Sequence, residues 1–277
     1  MSEDDIYIQR LLEGEPLREP VMRSAIQSLH LPLGSQGLDV GCGIGLPAMQ
    51  LAQTVGAAGH VTGVDILPEL LRYGEELVRK AGLSERITFR EGDMNQLPFA
   101  DASFDWTWSA DCVGYPAGGL THVLEELIRV VKPGGSVILL AWSSQQLLPG
   151  YPFLEARLNA TCSGYLPLLK EISPQQHFPH ALGWLKEAGL DQLKGQTFIG
   201  DVQAPLNPGE RIALLSLFEM LWGQRLPECS PEDWNEFQRL CSPGSTDFIL
   251  DIPDYYAFFT YTLFRGRVLQ SIRRREE

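Results

Sequence analysis

The run Leu38-Asp-Val-Gly41-Cys42-Gly43-Ile44-Gly45 constrains this chain more than any other. It joins a short strand pattern at 37–40 to a stretch of helical spacing at 46–55. Glycines are needed where a chain turns this tightly and where a ligand must come close to the backbone. A strand, a glycine loop and a helix in succession form the ligand-facing corner of a doubly wound sheet. The spacing narrows the choice of ligand. A nicotinamide-type loop wants Gly-x-Gly-x-x-Gly, and counted from Gly41 the third glycine falls at position 46, which holds Leu46. Here the order is Gly-x-Gly-x-Gly, with an acid, Asp39, two residues before the first.

The rest of the chain repeats the alternation. Apolar residues at Val21, Met22, Ala25, Ile26 and Leu29 predict a helix over 20–31. A second strand is expected at 61–64, closed by Asp65, then a helix from Pro68 to about residue 81 with Gly82 as its C-cap. Strands follow at 87–90 and 104–109. A helix over 122–131 ends at Lys132-Pro-Gly-Gly135, read as a stop signal before a strand at 136–142. Beyond it come helical insertions at about 143–177 and 206–250, a helix at 180–188, and strands at 196–202 and 255–264. Alternation of this kind predicts an α/β fold: a Rossmann-like, doubly wound, mostly parallel seven-stranded sheet. The expected organisation is a single domain over 1–277, with a ligand-binding core at about 20–142 and the insertions forming a cap.

Bulk properties remove several function classes. The longest apolar run, 136–142, has the length of a buried strand and falls well short of a membrane span. The opening Met-Ser-Glu-Asp-Asp is acidic and unlike a signal peptide, so the expected compartment is the cytoplasm. A formal net charge of −13 repels phosphate backbones, which disfavours a nucleic-acid partner. The basic run Arg273-Arg-Arg275 sits beside Glu276 and Glu277 and reads as a solvated tail. The five cysteines are scattered without a Cys-x-x-Cys pair, so free thiols and no metal site are expected.

Two further acids bear on the ligand. Asp65 lies at the end of the second strand, 20 residues after Gly45, where a carboxylate can accept hydrogen bonds from both ribose hydroxyls. The plainer alternative is a helix N-cap before Pro68. In Glu91-Gly-Asp93-Met94 a carboxylate can accept from an adenine amine, with Met94 offering a backbone N–H and an apolar wall. The alternative there is a simple turn.

Taken together, Asp39-Val-Gly-Cys-Gly-Ile-Gly45, Asp65, Gly92-Asp93-Met94, Phe104-Asp105 and Arg129-Val-Val-Lys-Pro-Gly-Gly135 resemble class I S-adenosylmethionine-dependent methyltransferases. They look most like the branch containing ubiquinone/menaquinone-biosynthesis C-methyltransferases and many small-molecule methyltransferases, and the resemblance covers about residues 35–142. It implies S-adenosylmethionine as cofactor. Gly41, Cys42 and Gly43 would pass close to its methionine part and ribose, and Asp39 would orient the methionine end. Asp65 would hold the ribose, Ile66 would pack on the adenine, and Asp93 and Met94 would read its edge. Ser109 would present its backbone carbonyl to the methionine ammonium.

The implied reaction is an in-line displacement onto a small-molecule acceptor, planar or lipophilic if the aromatics of the insertions line its pocket. Methyl transfer needs a base only when the acceptor must lose a proton. Asp111 and Tyr115, just after the fourth strand, are the candidates, with His122 a surface alternative. Cys112 reads as a packed thiol, and His177 and His180 as part of a turn. Tyr7 and Arg18 are expected on a segment folding over the cofactor. Two other classes stay open from sequence: a non-catalytic protein that binds the same nucleoside, and an NAD(P)-dependent oxidoreductase.

Overall fold

The structure, a computed structural model, describes residues 2–113, 120–161 and 174–270. Seven strands form one sheet: β1 (Gln36–Val40), β2 (His60–Asp65), β3 (Ile87–Glu91), β4 (Phe104–Ala110), β5 (Val131–Gln146), β6 (Asp191–Gln203) and β7 (Tyr256–Arg267). Their order is β3-β2-β1-β4-β5-β7-β6. The pairs β1–β2, β2–β3, β1–β4 and β4–β5 are all parallel, so the sheet is of the α/β, mostly parallel kind expected. Among the described residues the helices are α1 (Glu3–Ser28), α2 (Leu46–Val55), α3 (Pro68–Lys80), α4 (Leu120–Arg129), α5 (Pro152–Thr161), α6 (Ala181–Glu187), α7 (Pro208–Trp222) and α8 (Pro231–Cys241). The strand order reverses between β1 and β4. In open α/β sheets that reversal is where ligands sit, beyond the carboxyl ends of the strands.

The chain divides into two compact units. One comprises Arg23–Ala141, Ser173–Thr197 and Thr262–Glu277 and holds the glycine loop. The central stretch of β5 is covered on both faces, so it reads as a continuous apolar run: Val137, Ile138, Leu139, Leu140 and Ala141 are all buried. Val123, Leu124 and Leu127 of α4 pack with Leu38, Val40 and Leu139. α2 buries Ala48, Leu51, Ala52 and Val55, one face at helical spacing, and ends at Gly56. Asp105 ties the entry of the central strands together, accepting from the Gln36 N–H at 2.7 Å and from Lys132 Nζ at 2.8 Å.

The other unit comprises Met1–Met22, Trp142–Ile172 and Phe198–Tyr261. Trp142 stacks on Phe259 with ring centroids 4.8 Å apart. Glu155 of α5, almost fully buried, accepts from the N–H groups of Leu147 and Leu148, and the Tyr255 hydroxyl donates to the Leu147 carbonyl at 3.0 Å. Arg157 grips Asp233 of α8 through both carboxylate oxygens. The aromatics Phe218, Trp222, Tyr255 and Phe259 are core residues, whereas Phe153 and Tyr256 are exposed.

Three expectations are corrected. The first helix does not begin at Pro20 but at Glu3, and runs through Pro16 and Pro20. Ser2 and Asp5 cap its start reciprocally, each accepting from the other's backbone N–H, and three acids in the first turn suit the positive end of the helix dipole. The Lys132-Pro-Gly-Gly135 run is not a break before a strand; it lies within β5. Its glycine is needed for closeness, because a Cβ on Gly135 would sit 2.4 Å from the Asp105 carbonyl oxygen. The pairing with β4 shifts register at that point. Finally, Cys42, Cys112 and Cys241 are free thiols, but Cys229 is disulfide-bonded.

Candidate active site

β1 delivers the chain to Gly41, and the next five residues turn into α2. Gly41, Gly43 and Gly45 all take positive φ, +71°, +54° and +78°, a region that side-chain-bearing residues enter at a cost. The N–H groups of Gly41 and Cys42 both donate to the Val64 carbonyl, at 2.9 and 3.1 Å, which lays the loop against the end of β2. The fit is close. A Cβ on Gly41 would stand 2.3 Å from Cys112 Sγ, and one on Gly45 would stand 2.5 Å from the Phe89 ring. Asp65 closes the loop: one carboxylate oxygen accepts from the Gly43 N–H at 2.8 Å and the other from the Leu67 N–H at 3.1 Å. Leu67, not Asp65, is the N-cap of α3. Each Asp65 oxygen keeps a second lone pair for a ligand, and Ile66 beside it is 61% exposed.

Asp39 is the buried acid of the site. It is 1% exposed, and its Oδ2 has no hydrogen-bond partner among the described residues. Burial, with the like charge of Asp65, pushes its carboxyl up to about 8. Gly92 donates to the Asp65 carbonyl at 3.0 Å, bringing the 92–94 turn to the same end of the sheet. Asp93 is exposed, and one oxygen accepts from Asn95 through both its backbone and its side chain at 2.8 Å; Met94 packs against the core. Ser109 is buried, its hydroxyl donating to the Val40 carbonyl at 2.9 Å, so β4 is pinned to β1 where both strands end. Asp111 takes φ +52° and donates its N–H to the Leu140 carbonyl. Tyr115 lies outside the described residues.

Residues 38–135 match a family described as a methyltransferase domain. The chain is 30% identical to methyltransferase GfsG from Streptomyces halstedii, over 75% of this chain and 70% of that one. It is also 30% identical to a demethylmenaquinone methyltransferase from Bacillus velezensis, over 65% of this chain and 81% of that one. The chain belongs to the class I S-adenosylmethionine-dependent methyltransferases. Against other curated relatives it spans less than two thirds of their length, 39% and 59% in two cases. A solved S-adenosylmethionine-dependent methyltransferase from Aquifex aeolicus shares the fold, with a TM-score of 0.52 and 23% identity over 69% of this chain and 89% of that one. Family membership sets aside the oxidoreductase alternative, in keeping with Leu46 at the place of a third nicotinamide-type glycine.

The residues present fit the methyltransferase cofactor, S-adenosylmethionine. A cationic ligand suits two acids at the switch point, one of them carrying a buried oxygen without a partner, and the three glycines leave the backbone bare for close approach. Two features were not read from sequence. Phe89, set beneath Gly45 and Gly63, shapes the loop from below, and Trp108 carries a buried indole nitrogen with no partner among the described residues. The sequence marks Phe89 only as part of a strand, and only the sheet register places Trp108 opposite Asp39. His122 is exposed and lies 3.6 Å from Glu125, and the His177 carbonyl accepts from the His180 N–H in a 3₁₀ turn. Tyr7 and Arg18 lie on α1.

Asp39 gives the methyltransferase a pH-dependent stability. Its folded value of about 8 stands above the ordinary 3.8. Its contribution is therefore fully present below about pH 4 and is lost as pH rises through 8. Thermal melts of the wild type are expected to fall by several degrees between pH 6 and 8.5, and melts of Asp39→Asn to change less. Equal slopes in the two proteins would contradict a proton held at Asp39.

Proposed function

We propose that this protein methylates a small lipophilic acceptor, with the cofactor held by the 41–45 loop, Asp39, Asp65, Ile66, Asp93, Met94 and Ser109. The observation that carries the reading is Asp65, tied by both oxygens to backbone N–H groups at the switch point and still able to accept from a ribose. When bound, the cofactor supplies an activated methyl group whose bond to sulfur breaks as the bond to the acceptor forms. The protein's part is to orient and desolvate. Asp65 grips the sugar, exposed Ile66 covers one face of the base, and the Asp93–Met94 turn faces its edge. The Ser109 carbonyl, on a strand pinned to β1, receives the amino-acid ammonium.

Asp111 is the candidate to take a proton from an acceptor hydroxyl or activated carbon. Its backbone is left-handed, φ +52°, a conformation that side-chain-bearing residues enter at a cost; Tyr115 is the alternative base. The acceptor class draws support from relatives named as methyltransferases of demethylmenaquinone and of the sterol 24-carbon. The formal net charge of −13 argues against a nucleic-acid acceptor. The test supplies S-adenosylmethionine with a labelled methyl group and a panel of quinols, phenols and sterols, then counts label in the organic extract. Label in an extractable product, reduced 10-fold or more by Asp111→Asn, is the expected result. Cofactor binding without transfer to any member of the panel would remove the lipophilic acceptor and favour a non-catalytic binding role.

A further inference from the structure

Asp39 of β1 and Trp108 of β4 stand opposite each other in the parallel register. The preceding pair on that face is Gly37 and Trp106. The Trp106 ring lies over Gly37, 2.0 Å from where a Cβ would be, and its indole N–H donates to Ser35 Oγ at 2.9 Å. Residues two apart on a strand share a face, so Trp108 lies on the face of Trp106, one step nearer the loop and beside a residue that carries a side chain, Asp39. Among the described residues the Trp108 indole nitrogen is buried without a partner, and so is Asp39 Oδ2. A buried donor and a buried acceptor on neighbouring strands of one face are each costly to leave unmade.

We propose that Trp108 is a positioning residue for Asp39: as the cationic cofactor enters, the indole N–H takes the free carboxylate oxygen and Asp39 releases its proton to solvent. This rests on the cofactor site proposed above. Before binding, desolvation and the Asp65 carboxylate keep the proton on Asp39. The positive charge of the ligand reverses that preference, and a charge-assisted N–H···O⁻ bond holds the new carboxylate in place. The other titratable groups around Asp39 are Asp65 at the end of β2 and the thiols of Cys42 and Cys112. Burial holds both thiols up, Cys112 at about 12 and Cys42 well above its ordinary range, so neither titrates with Asp39.

The experiment is calorimetric titration of the full chain with S-adenosylmethionine in buffers of different ionisation enthalpy. From a carboxyl near 8, about 0.9 protons should leave per cofactor bound at pH 7, and affinity should rise up to about tenfold per pH unit between 6 and 8. Asp39→Asn should bind with buffer-independent heat. Trp108→Phe, which keeps the apolar ring and loses the N–H, should weaken binding about tenfold at pH 7 and release fewer protons. Trp108 is wholly buried, so a measurement on the wild type stands beside it. Among the six tryptophans, the indole ¹⁵N–¹H resonance of Trp108 should move downfield when cofactor is added, and should not do so in Asp39→Ala. Binding with buffer-independent heat, or with no indole resonance moving, overturns the pair and leaves the cofactor site standing. Absence of binding at every pH overturns both.

Discussion

Asp65→Ala is expected to weaken S-adenosylmethionine binding by roughly 100-fold or more, with a far smaller effect on folding. The carboxylate has two duties at one place. It fixes the glycine loop through the Gly43 N–H and the start of α3 through the Leu67 N–H, and in the proposed complex it accepts from the ribose. Hydrogen bonds to a charged group contribute about 1.5–3 kcal/mol each. Losing two such ribose bonds corresponds to about 10²-fold or more in affinity. The loop keeps its other ties, the Gly41 and Cys42 N–H groups on the Val64 carbonyl, so the chain should still melt cooperatively. Asp65→Asn, which keeps an acceptor of the same size without the charge, should fall between the two. Titration with S-adenosylhomocysteine reads the affinity and circular dichroism reads the fold. An alanine variant that binds within threefold of the wild type would exclude Asp65 as the sugar ligand.

The fold was legible where local chemistry and period agree. Residues 46–55 repeat apolar side chains on one helical face between two glycines, and the helix found has those bounds. The 137–141 stretch of β5 is buried on both faces and shows in the sequence as an apolar run. Legibility failed where tertiary contacts outweigh a punctuation signal. Pro16 and Pro20 suggest a boundary, yet α1 runs through both from a reciprocal cap at Ser2 and Asp5. Gly134 and Gly135 suggest a turn, but Gly135 is there because the β4 backbone passes too close for a side chain. The site divides in the same way. Asp39, the three glycines and Asp65 follow one another along adjoining strand ends, so sequence order alone brings them to one corner. Phe89 beneath the loop and Trp108 opposite Asp39 depend on the β1–β4 and β2–β3 registers, which no local spacing encodes. The disulfide at Cys229 was equally hidden, because pairing is a matter of proximity in space.

The loop itself should tolerate almost nothing, and Gly41→Ala is expected to be the most damaging small change in the molecule's glycine loop. Two costs act together. The left-handed backbone at φ +71° penalises any Cβ by about 1–2 kcal/mol. The new methyl would also fall 2.3 Å from Cys112 Sγ and 2.9 Å from its Cβ, an overpacking worth about 1–3 kcal/mol more. A total of about 3 kcal/mol corresponds to a Tm lower by about 6–12 °C for a chain of this size. Gly82→Ala separates the two costs: Gly82 has nearly the same dihedral, φ +70°, with nothing within 4 Å of the added Cβ, so it should lose only the backbone part. Adding Cys112→Ala to Gly41→Ala removes the sulfur and should recover part of the packing cost but none of the dihedral cost. If Gly41→Ala and Gly82→Ala melt at the same temperature, the contact with Cys112 is not what excludes a side chain there. Cofactor affinity should follow a different order. Gly82→Ala, at the far end of α3, should leave it unchanged. The double variant should stay weaker than the wild type even where its stability is partly restored, because the Gly43 N–H reaches Asp65 only from the undisturbed loop.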